Sequence, residues 1–82
     1  MSKNIEENIM EKPEDFNDRH GNPLEKDSLY VLPHLLSPLQ FEGYDYLQEG
    51  DFKNLRAVFT NSKGCNLYFN KNQVAAFVIK VN

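Results

Sequence analysis

The chain holds a single cysteine, Cys65, no acidic residue after Asp51, and no apolar run near the roughly 20 residues that a membrane-spanning helix requires. One cysteine excludes an internal disulfide. No apolar stretch of signal-peptide length follows "MSKNIEENIMEK", so the sequence points to a soluble protein in a reducing, cytoplasmic setting, with no membrane partner. Phosphate-cradling glycine loops, the H-E-x-x-H zinc pattern, the G-x-S-x-G elbow and paired cysteines are all missing. No catalytic residue, metal ion or cofactor is therefore expected, and the chain is read as a non-enzyme. Cys65 with His34 or His20 is the one pairing that resembles a nucleophile and its base. Its place at the head of "CNLYFN", on the apolar set with Leu67 and Phe69, instead predicts a small buried hydrophobe.

What is present is divided by charge. Through Asp51 the chain carries all 12 of its acids, and beyond it only Lys53, Arg56, Lys63, Lys71 and Lys80 are charged. The net charge of −3 thus hides an acidic first part and a basic second part, an asymmetry that suggests a charged interaction face or tail. Abundant Asn, and Lys well in excess of Arg, read like an AT-rich bacterial or phage genome.

Residues 1–27 read as a flexible, acidic N-terminal arm. "SKNIEENIMEK" can form a turn or two of helix, with Ser2 as cap and Ile5 and Ile9 one turn apart, before Pro13 ends it. Such an arm either frays or docks on the basic half of this chain or another.

Residues 28–82 read as a small β-rich domain. "SLYVLP" stops at Pro33, "HLLSPLQF" resumes beyond it, and "EGYDYLQ" sets Tyr44 and Tyr46 on one face with Asp45 on the other. "LRAVFT" and "CNLYFN" alternate around "NSKG", where Gly64 is expected in the left-handed conformation. "VAAFVIKV" is apolar on both faces and reads as a covered strand, entered through an Asn-rich turn at 70–72. The expectation is mainly β: a small curled antiparallel sheet or SH3-like or Sm-like partial barrel of about five short strands, ending in a three-stranded meander over 55–81. The alternative is α+β, the meander packed on one helix formed around residues 29–41. Whether "YVLPHLLSPLQF" is core or exposed patch stays open at this level.

Two surfaces compete for function. Carboxylates interleaved with tyrosines, Glu42, Tyr44, Asp45, Tyr46 and Glu49, form a candidate face for a basic patch on a larger protein partner. The reading this favours is a non-enzymatic protein-binding or regulatory module, of the kind small phage or bacterial inhibitors represent, that occupies a partner's surface. Lys53, Arg56, Lys63, Tyr68 and Lys71 form the alternative: weak single-stranded nucleic-acid binding through cations and an aromatic platform. Against that stands the acidic isoelectric point of about 5.2. A further alternative is a homo-oligomer binding a small anionic ligand or nucleotide at its dimer interface.

Overall fold

The structure, a computed structural model, describes residues 12–81. Of the short helix expected over 2–12, residues 2–11 lie outside the described residues. Five strands, β1 (Leu29–Val31), β2 (Leu39–Glu49), β3 (Phe52–Thr60), β4 (Asn66–Phe69) and β5 (Ile79–Lys80), form one open antiparallel sheet in the order β4-β3-β2-β1-β5. The protein is mainly β, as its alternation predicts. The sheet does not close into a barrel, and no helix forms around 29–41.

Turn chemistry builds the central hairpins. Glu49 faces Phe52, so β2 and β3 are joined by Gly50 and Asp51, with Gly50 at φ +64° where a tight hairpin turn favours glycine. Between β3 and β4 the Asn61 side chain accepts from the backbone N–H groups of Lys63 and Cys65, both at 2.9 Å. Gly64, at φ +84°, takes the left-handed position expected of it.

The C-terminal leg differs from expectation. Lys71–Phe77 is a helix, α1, and so the meander expected over 55–81 does not exist; the true meander is β2-β3-β4. Asn70 explains the change: its side chain accepts from the Gln73 N–H at 2.8 Å, while the Gln73 side chain accepts from the Asn70 N–H at 2.9 Å. This reciprocal cap, followed by two alanines, starts a helix where a turn and strand were expected. Val74 and Val78, one turn apart, are fully buried against the sheet. The chain then reaches the far edge, where β5 pairs with β1.

A β-bulge sets which residues face the core. Phe41 pairs with Phe59 but Gly43 pairs with Val58, so Glu42 is an extra residue on β2. The extra residue reverses the alternation, placing Tyr44 opposite Ala57 and Tyr46 opposite Leu55, on the same face as Phe41. That face packs rings edge to face: Tyr30 on Phe59 at 5.7 Å, Phe41 on Tyr44 at 5.1 Å and Phe59 on Phe69 at 5.5 Å. The other face carries Gln40, Asp45, Arg56, Thr60, Asn66 and Tyr68.

Residues 12–27, expected as the inner part of a flexible arm, pack on the sheet. A 3-10 turn at Pro13–Asp15 delivers Phe16, which is fully buried and meets Tyr44 at 5.1 Å. Asn17 bridges Pro23, and the Arg19 N–H donates to the Val78 carbonyl at 2.8 Å. Asp18 is buried because its Oδ1 accepts from the N–H groups of His20 and Asn22, which satisfies the carboxylate locally.

Candidate functional site

The core leaves the adjacent Leu35 and Leu36 outside. After β1, Leu32 is buried, and a turn closed by the Leu35 N–H on the Leu32 carbonyl at 3.2 Å carries the chain outward through Pro33 to Pro38. The run "YVLPHLLSPLQF" therefore divides: Tyr30, Leu32, Leu39 and Phe41 are core, whereas Leu35 is 40% exposed and Leu36 wholly exposed. Pro33 and Pro38 bound this excursion, because neither can contribute an N–H to the ladders on either side.

The excursion forms one wall of an open groove of about 300 Å³, with Leu39 and Leu67 also lining it and Asn61, Ser62 and Lys63 on the β3-β4 turn opposite. His34 joins the lining and stacks obliquely on the exposed Phe77 ring of α1, centroids 5.9 Å apart. Among the described lining residues none is acidic, and Lys63 brings a positive charge. Chemically this is a surface for apolar side chains with a cationic rim. Cys65 does not line the groove; it is exposed, contrary to its expected burial, because its backbone is used in the turn and the strand begins only at Asn66.

A second cleft, about 440 Å³, lies among Asp18, His20, Asn22, Glu25 and Lys80. Lys80 bonds Glu25 there at 2.8 Å, which holds the ammonium above its ordinary pKa, and the Glu25 N–H donates to the Tyr30 hydroxyl at 2.8 Å. Its main charges are thus already matched. Among the described residues no three His, Cys, Asp or Glu side chains gather as a metal site. No helix among them is long and apolar enough to cross a membrane.

The residues expected to form a partner face do not share one surface. Tyr44 is half-buried in the core, Tyr46 lies on the same face but 46% exposed, and Asp45 projects from the opposite face. Glu42 is exposed at the bulge, and Glu49 ends β2. Alternation separates Asp45 from the tyrosines, and the bulge sends the tyrosines to the core side. The cationic set is also dispersed. Lys53 lies near the start of β3 and Lys63 beyond its end, more than about 20 Å of strand apart. Arg56 and Tyr68 share the outer face, and Lys71 begins α1. In the sequence, the Leu35–Leu36 corner is visible only as an apolar run interrupted by two prolines.

Tyr44 supplies a pH signature. Burial pushes its phenol up to about 12 from 10.0, with Tyr30 as a smaller contributor. Between those values the unfolded phenol has lost a proton that the folded one keeps, so stability falls as pH rises. We expect melting temperature to drop as pH rises from about 10 toward about 12, the window between the two values, and Tyr44→Phe to flatten that drop; equal slopes for both proteins would contradict it.

The fold and surface together define a small one-sheet β protein with an apolar, cation-rimmed corner. Compared with known proteins, the chain matches no family model, no curated protein and no solved structure.

Proposed function

We propose that this chain is a non-enzymatic protein-binding module, regulatory or inhibitory in effect, that seats on a larger protein through the corner formed by Leu35, Leu36 and Phe77. The observation that carries this reading is a pair of adjacent leucines held out in solvent beside an apolar groove. Fully burying such a side chain contributes about 1.5–3 kcal/mol, so an exposed pair in so small a fold stores a gain that only a covering surface realises. The reading places the protein in the cytoplasm, where an exposed single thiol such as Cys65 stays reduced.

The test compares wild type with a Leu35→Ser/Leu36→Ser double variant. Both should melt alike, because neither side chain belongs to the core. A protein retained stoichiometrically from the host lysate by the wild type, at physiological salt, should be lost by the variant. Equal retention by both would overturn the reading.

A further inference from the structure

The corner adjoins a sheet edge that the described fold leaves unpaired. β4 ends the strand order, and among the described residues no strand pairs with its outer side. Charges, prolines and bulges are the devices by which exposed edges are normally blocked. The four residues of β4, Asn66, Leu67, Tyr68 and Phe69, include no charge and no proline, and their register with β3 runs without a bulge. The opposite edge differs: β5 has two residues, and Lys80 there is engaged by Glu25.

Leu67 belongs to both features. It lies on β4 and lines the groove, so a strand laid along this edge would send alternate side chains toward the leucines. A four-residue edge offers few ladder bonds, and side-chain pockets must supply the remaining affinity and the specificity. Charge selects among occupants. Lys63 lies before β4 and Lys71 two positions after it, and no acid follows Asp51 in the sequence. A second copy adding antiparallel through its own β4 would bring Lys63 toward the Lys71 end of its twin, an unfavourable pairing of like charges.

We propose that an extended segment of the partner, with alternating apolar residues and acidic flanks, adds to β4 as a sixth strand and sets its apolar side chains in the Leu35–Leu36–Leu67 groove. The proposal rests on the reading of the corner as a partner surface. Main-chain hydrogen bonds fix its register, the groove reads every second side chain, and Lys63 and Lys71 meet the flanking carboxylates.

The experiment selects displayed random 12-residue peptides on the immobilised full chain, then measures binding of synthetic copies. Expected are sequences of alternating apolar residues with Asp or Glu at the flanks. Their binding should weaken about tenfold or more when the amides of one alternate set are N-methylated, and similarly with Lys63→Glu/Lys71→Glu. Peptides that need Leu35 and Leu36 but tolerate N-methylation of either set would overturn strand addition and leave the corner reading standing. Peptides that bind the Leu35→Ser/Leu36→Ser variant as well as wild type would overturn both. No selected peptide, or a concentration-dependent dimer in which β4 amides become protected from exchange, would overturn the proposed occupant.

Discussion

Phe16→Ala should lower the unfolding free energy by about 3–5 kcal/mol, read from urea denaturation. The residue is fully buried although it arrives from outside the sheet, set by a single turn in which its own N–H donates to the Pro13 carbonyl at 3.0 Å. Its ring meets Tyr44 edge to face, and nothing in the sheet itself replaces it. A domain of this size has a total stability of about 4–12 kcal/mol, so the loss takes a large share of the whole. Phe16→Leu, which retains most of the apolar volume, should cost much less. An unchanged denaturation midpoint for the alanine variant would show that residues 12–27 contribute nothing to the core.

Insertion of one alanine between Gly43 and Tyr44 should be the second large perturbation, whereas Glu42→Ala, at an exposed side chain, should change stability by no more than about 0.5 kcal/mol. What the insertion adds is a backbone position. Deleting Glu42 would leave Gly43 opposite Val58 and Tyr44 opposite Ala57, whereas the inserted alanine takes the place of Tyr44 and every later side chain of β2 changes sides. Tyr44 would leave Phe16 and Phe41, and Asp45 would turn toward Leu55 and Ala57. A carboxylate facing that core, where aromatic rings had packed, should abolish cooperative melting and the near-ultraviolet circular dichroism of the tyrosines. An insertion variant with native melting would mean that the residue count after the bulge does not set the register.

These two positions also show where sequence and structure part. Alternation locates Leu55, Ala57 and Phe59 on the buried face and Leu67 and Phe69 on the same side, because a strand with one covered face repeats with period two. The "NSKG" turn is equally legible, since only glycine readily takes its left-handed position. A bulge leaves no such mark. "FEGYDY" alternates perfectly well as a flat strand, and only the partner's register shows that Glu42 is supernumerary. The helix escapes for a different reason: a short apolar run such as "VAAFV" fits strand or buried helix alike, and the deciding signal is the Asn70 and Gln73 cap.

Charge follows the same rule. Among the described residues the acidic and basic parts of the chain are not kept apart, because the central hairpin interleaves them: Asp45 is opposite Arg56, and Lys53 is paired into the same ladder. Antiparallel pairing mixes what the linear order separates. Phe16 stands in the sequence as one apolar residue in a polar leader, and its destination is a contact distant in sequence that local patterning does not encode.

The bond between Lys80 and Glu25, 55 positions apart, has a kinetic meaning. The β2-β3-β4 meander closes short loops and can assemble early, whereas β5, the Arg19 to Val78 bond and the ion pair all require the two distant segments to find each other. Closure of this clasp is therefore expected as the last step of folding. Its backbone amides then become the natural first point of opening, at the edge of the sheet opposite the one proposed to take a partner strand.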